Sequence, residues 1–185
     1  NGVSIMRNLE GSAFSLEQFV TLASCTAEID AGDVDGDGDV DLVVGHRSNR
    51  WSLVINGEAG FTDGGFTPGI PAGNLPDNPT IHLSDVDLDG DVDVFYSHQD
   101  SGGINQGAVG LWRNDGTGTL AGFGPAETLS FGLEHPGSVD VTTGDVTGYG
   151  WPDVFAVCGV PTGANRYWFL FESDGTGGFG EPRKF

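Results

Sequence analysis

The chain has 185 residues, 32 of them glycine, and a formal net charge of −20, with Lys184 as its sole lysine. That length accommodates one domain with a sizeable core. Acidity on this scale repels phosphate backbones and anionic lipid, so nucleic acid and membrane surfaces are excluded as expected partners and cations are favoured.

Taken from the N-terminus, residues 3–8 and 19–22 read as two strands joined by a turn. Residues 25–30 form the next expected strand, followed by the acidic run Asp33-Val-Asp-Gly-Asp-Gly-Asp-Val-Asp41 and then Leu42-Val43-Val44. Residues 51–56 and 61–70 again read as paired strands. The order then repeats. Residues 80–83 lead into Asp85-Val-Asp-Leu-Asp-Gly-Asp-Val-Asp93 and Val94-Phe95-Tyr96, followed by a pair at 109–114 and 123–131. A third round runs from 138–142 through Asp145-Val-Thr-Gly-Tyr-Gly-Trp-Pro-Asp153 to Val154-Phe155-Ala156-Val157, with a final pair at 167–173 and 179–185. The apolar runs are short, β-branched or aromatic, and bounded by Gly and polar residues, which is the pattern of buried strands. Asn114-Asp-Gly-Thr-Gly and Ser173-Asp-Gly-Thr-Gly are hairpin signals, because Asp-Gly supplies the positive φ such turns need. No stretch sustains a 3.6-residue period, so almost no helix is expected.

The acidic runs start 52 and 60 residues apart, and four strands in such a span is the size of a propeller blade. The expected fold is all-β, a β-propeller with blades of four antiparallel strands and about three and a half blades in the chain. The divisions are 1–24 (the last two strands of a blade), 25–79, 80–137 and 138–185. Two strands without their partners leave open edges, which motivates self-assembly into a filament or larger ring.

The acidic runs have the chemistry of calcium sites. Calcium is a hard cation that takes six to eight oxygens. Carboxylates at positions 1, 3, 5 and 9, a Gly at 6 for the sharp turn and a backbone carbonyl at 7 can surround one centre. Loop one offers Asp33, Asp35, Asp37, Asp39 and Asp41; loop two offers Asp85, Asp87, Asp89, Asp91 and Asp93. An EF-hand is ruled out, since its position 12 needs Glu and these loops place Val44 and Tyr96 there. Loop three keeps Asp145 and Asp153 but carries Thr147, Tyr149 and Trp151 in between, which makes a weaker third site. A hydrogen-bonded turn without an ion is the competing reading for it.

Asp-x-Asp-x-Asp-Gly-x-x-Asp followed by Leu-Val-Val-Gly resembles the FG-GAP/VCBS repeat of integrin α-subunit propellers and many bacterial secreted proteins. Phe123-Gly124-Pro125 and Phe179-Gly180-Glu181-Pro182 fit the same pattern. The resemblance implies a propeller in which the calcium loop joins the first two strands of a blade and positions 1, 3, 5, 7 and 9 hold Ca2+. It also implies an extracellular or cell-surface module for adhesion or for a protein or glycan ligand. The alternatives are a structural subunit that polymerises, and part of a polysaccharide-degrading enzyme. Gly-x-Ser-x-Gly, His-Glu-x-x-His and Gly-x-x-x-x-Gly-Lys are all missing, so no catalytic residues are expected and the chain is read as a non-enzyme.

The remaining chemistry-bearing residues have plainer expected roles. His46 and His98 share a repeat position, with Cys158 at the matching place in the third round, and read as strand ends rather than a metal site. His82 and His135 show no partner pattern. Trp51 and Trp168 share a repeat position and read as packing residues, Trp112 falls on the opposite face, and Trp151 in its loop is the better contact-surface residue. Cys25 and Cys158 form one bridge or remain two thiols; the sequence leaves both open. The chain begins at Asn1 rather than Met, so a processed product is expected.

Overall fold

A computed structural model describes residues 1–11, 13–47, 50–67, 79–98, 106–134, 139–159 and 166–185. Among these the chain is all-β, with a single 3-10 turn at Leu120–Gly122 as its only helical element. The first two strands, β1 (Gly2–Leu9) and β2 (Ala13–Thr21), form an antiparallel hairpin. Twelve further strands form three four-stranded antiparallel sheets, each running in sequence order. The first sheet contains β3 (Thr26–Gly32), β4 (Asp41–His46), β5 (Arg50–Gly57) and β6 (Gly60–Phe66). The second contains β7 (Thr80–Ser84), β8 (Asp93–His98), β9 (Gln106–Trp112) and β10 (Glu127–Glu134). The third contains β11 (Val139–Gly144), β12 (Asp153–Gly159), β13 (Arg166–Phe171) and β14 (Arg183–Lys184).

The sheets pack on one another in chain order, and the alternation of side chains along each strand decides which neighbour each residue meets. In β4, Val44 joins Val20, Leu22 and Val54 against the hairpin, while Val43 faces the second sheet with Trp51 and Leu53. In β8, Val94 and Tyr96 turn back to the first sheet and Phe95 turns on to the third. This two-sided burial explains why the runs after the acidic loops are continuously apolar. Trp51 and Trp112 sit on opposite faces of their own sheets and therefore meet between them, edge to face at 5.8 Å, with Phe123 4.8 Å from Trp51. Trp51 is packing, as expected. Trp168 is half exposed and lies against Phe155 on the outer face of the third sheet.

The first strands of successive sheets lie side by side. Leu83 N–H donates to Asp30 Oδ2 at 2.9 Å, and His82 Nε2 is 3.0 Å from Thr143 Oγ1. His82 therefore has partners that the repeat pattern did not disclose. His46 ends β4, as expected, and is buried there, with Nε2 2.7 Å from Ser52 Oγ. The side chain of His98 and all of His135 lie outside the described residues. Cys25 is exposed, Cys158 is buried, and no disulfide joins them.

Two connections differ from their sequence reading. The first hairpin is longer than expected, because Ala13–Thr21 pairs along all of β1 with a register shift between Ile5 and Met6. Asn114-Asp-Gly-Thr-Gly is not a tight two-strand turn. It opens a long connection from β9 to β10 in which Phe123 lies outside any strand.

Candidate metal centres

Each acidic loop joins the first and second strands of its sheet: 33–41 between β3 and β4, 85–93 between β7 and β8, and 145–153 between β11 and β12. A shared frame shapes all three. The Asp at position 1 accepts the N–H of the Gly at position 6: Gly38 to Asp33 at 3.0 Å, Gly90 to Asp85 at 3.1 Å and Gly150 to Asp145 at 2.9 Å. The Asp at position 9 is fully buried in every loop. One of its oxygens accepts the position-2 N–H, from Val34, Val86 or Val146, at 2.9–3.1 Å. The other accepts an N–H at or just past the end of the third strand, from Asn56, Asn114 or Ser173, at 2.8–2.9 Å. Asp41, Asp93 and Asp153 thus tie each loop to its own sheet.

Within that frame the contents differ. Asp33, Asp35 and Asp37 each bring a carboxylate oxygen within 4.8 Å of the others, and Asp85, Asp87 and Asp89 do the same. At an effective dielectric near 20, unit charges at this separation repel by about 3 kcal/mol per pair. Burial first, and the crowding of charges second, favour protonation of several of these acids. Burial, followed by the neighbouring carboxylates of Asp41, Asp37 and Asp33, pushes Asp35 above the ordinary carboxylate range. Burial pushes Asp93 up to about 6, with the Asp87 charge adding to it. Asp87 is raised by burial and by Asp89, and its Oδ1 is buried without a hydrogen-bond partner. Hard oxygens, crowded and partly orphaned, are the donor set a calcium ion fits. Asp39 N–H donates to Asp37 Oδ1 at 2.8 Å, and Asp91 N–H to Asp89 Oδ1 at 3.0 Å.

Loop three gathers no such triple among the described residues. Asp145 Oδ1 accepts from Gly148 and Tyr149, and Thr147 hydrogen-bonds Asp153. Burial raises Asp153, yet the N–H groups of Ser173, Thr147 and Val146 and the Thr147 hydroxyl outweigh it and hold the acid below its usual range. Burial is the largest influence on both acids; it prevails at Asp93, whereas at Asp153 the hydrogen bonds, two of them from Thr147, prevail. Trp151 is partly buried, with Nε1 3.5 Å from the place a Cβ on Gly175 would occupy; Tyr149 is the exposed aromatic of this loop.

Sequence reasoning did not find the residues that join one loop to the next sheet. A Cβ on Gly118 would lie 2.1 Å from Asp35 Cβ, and one on Gly177 would lie 2.7 Å from Asp87 Cβ. Both glycines have positive φ. The Asp-Gly-Thr-Gly turn of each later sheet therefore seats on position 3 of the preceding loop. Asn114 Nδ2 donates to Val34 O at 2.8 Å and Val92 O at 3.2 Å, bridging loops one and two. Arg113 donates to Asp87 Oδ2 at 3.1 Å and to Gly177 O. The recurrence of Asp-Gly-Thr-Gly was the one available signal for these contacts.

Fold and loops together define a β-rich repeat module in which each four-stranded sheet carries an Asp-framed loop between its first two strands. Residues 85–156, which include loops two and three, match the sequence model of the FG-GAP-like repeat family. A chain in the structure of a mutant Photorhabdus luminescens Tc holotoxin pore is similar at 19% identity and a TM-score of 0.46. The similarity covers 82% of this chain and 7% of that one, so this chain spans a small part of its length. No curated protein matches the sequence.

Proposed function

We propose that the chain is a calcium-stabilised β-propeller module, working outside the cell, that binds a protein or glycan ligand and does not turn it over. The observation that carries this reading is the pair of three-carboxylate groups at equivalent places in successive sheets. Asp33, Asp35 and Asp37 would hold one ion, and Asp85, Asp87 and Asp89 a second. The position-9 acids and the position-7 residues Asp39 and Asp91 complete each loop. An ion supplies the positive charge that removes the repulsion, and so fixes the corner between two strands. Extracellular calcium fills even sites of about 10⁻⁴–10⁻³ M. The three sheets and the hairpin are then consecutive blades, and the ligand surface is what the ions hold in place.

The test is a melt of chelator-stripped protein against free calcium. A ligand bound only by the folded state adds about 2.7 kcal/mol per site at a hundredfold excess over its Kd. Asp37→Ala and Asp89→Ala should each lower the bound calcium by one ion. A melting curve indifferent to chelator removes the calcium reading, and silence across broad glycan and protein panels removes the ligand.

A second reading, self-assembly, is favoured by one specific feature. Met6 and Leu16 pair across the hairpin, and with Phe14 they line its outer face, all exposed. Inside the molecule each comparable apolar face is covered by the next sheet. A second copy of the chain, presenting Trp168 and Phe155 from its last sheet, would cover this one. Particle mass in solution with calcium checks it: a uniform monomer rules it out.

A further inference from the structure

Arg113 is the last residue before Asn114, whose N–H closes loop two on Asp93. The same place is Ile55 beside loop one and Glu172 beside loop three, each preceding the residue that closes its loop. Only loop two therefore has a guanidinium at this position. It is largely buried, 3.1 Å from Asp87 Oδ2 and 3.7 Å from Asp93 Oδ2, with Glu127 Oε1 3.3 Å from its Nε. The same group donates to Gly177 O in the turn of the third sheet. A cation here offsets part of the crowding in loop two and ties that loop to the neighbouring sheet. It also repels a divalent ion approaching the same carboxylates. Asp87 Oδ1 nevertheless stays buried and unpartnered, so the guanidinium leaves a donor oxygen for a metal.

We infer that Arg113 makes the two calcium sites unequal: it lowers the affinity of loop two and maintains the contact between the second and third sheets when that loop is empty. The inference rests on the calcium reading above. Loop one, with Ile55 in the matching place, fills first; loop two fills at higher calcium, as the guanidinium gives up its hold on Asp87.

Calcium titration of the chelator-stripped full chain tests this. Wild type should show two sites separated by about tenfold, equivalent to about 1.4 kcal/mol. Asp37→Ala isolates loop two; adding Arg113→Gln should tighten its remaining site about tenfold, while Arg113→Lys, which keeps the charge, should not. Asp89→Ala isolates loop one; adding Arg113→Gln should leave its affinity unchanged, and adding Ile55→Arg should weaken it about tenfold. The Ile55→Arg arm stands even if Arg113→Gln does not fold. Two sites of equal affinity, or affinities indifferent to these exchanges, overturn the role of Arg113 while leaving calcium binding intact. Tightening by Arg113→Lys as large as by Arg113→Gln assigns the effect to the lost Gly177 contact and also overturns it. No binding to wild type removes the calcium reading and this inference together.

Discussion

Gly118→Ala measures how much the seating of one sheet's turn on the preceding loop contributes. Gly118 has a φ of +63°, and an added Cβ would lie 2.1 Å from Asp35 Cβ and 3.2 Å from Asp35 Cα. Two costs follow. An L-residue in the left-handed region loses about 1–2 kcal/mol relative to Gly. Carbon atoms pack at about 3.5–4.0 Å, so the turn must also withdraw by more than an ångström, and overpacking of this kind costs about 1–3 kcal/mol. Gly148→Ala is the control: its φ is +79°, and nothing lies within 4 Å of the added atom. Only the backbone cost should appear there. The two variants should differ by about 2 kcal/mol in urea unfolding without calcium, or roughly 4–8 °C in Tm for a chain of this size. Equal losses would show that the turn yields freely and that the contact with Asp35 holds nothing.

Two further outcomes follow from single residues. Leu88 occupies the loop position that Gly36 and Gly148 fill elsewhere, with a φ of +58° and a side chain half exposed. Leu88→Gly should raise stability by about 0.5–1 kcal/mol, since relief of the left-handed strain exceeds the entropy a Gly adds to the unfolded chain; a lower urea midpoint refutes this. Burial holds His82 below its ordinary value, against the opposing charges of Asp30 and Asp140. The unfolded chain binds that proton at about pH 6.5, so the contribution of neutral His82 is complete above that pH and is lost as pH falls below it. His82→Gln removes the titration. Between pH 7 and 5, without calcium, wild type should lose stability relative to His82→Gln. Asp93, whose raised value works in the opposite sense, is common to both chains and cancels. An unchanged pH slope refutes the assignment.

Much of the architecture could be read from local pattern. Leu42-Val43-Val44 and Val94-Phe95-Tyr96 lie in β4 and β8 because a strand covered on both faces has no use for alternation. The first hairpin was underestimated for the opposite reason. Its strand Ala13–Thr21 mixes exposed Phe14 and Leu16 with Glu17 and Gln18, and the register shift after Ile5 breaks the two-residue period on which the reading depends. The Asp-Gly-Thr-Gly turns carried the right glycines under an incomplete reason. Gly116 and Gly175 turn the chain, but Gly118 and Gly177 are also required because another sheet's aspartate lies against them. That requirement is non-local and leaves no periodic trace. Arg113 is a single charge just past the apolar end of β9, so nothing in its sequence surroundings advertises contact with Asp87.

The three loops separate two jobs that the motif runs together. Positions 1 and 9 build the corner. They accept the same backbone N–H groups in all three loops, including the one without a carboxylate triple. Positions 3 and 5 decide what occupies the corner. Asp35 and Asp37 leave loop one with uncompensated negative charge. Asp87 and Asp89 do the same in loop two, against a partial counter-charge from Arg113. Thr147 and Tyr149 bring no charge, leaving Asp145 and Asp153 as the carboxylates of loop three, and hydrogen bonds finish the turn. Loss of ion-holding residues therefore need not cost the fold its corner. On the calcium reading proposed above, dependence on the ion differs from sheet to sheet along one chain while the strand order stays the same.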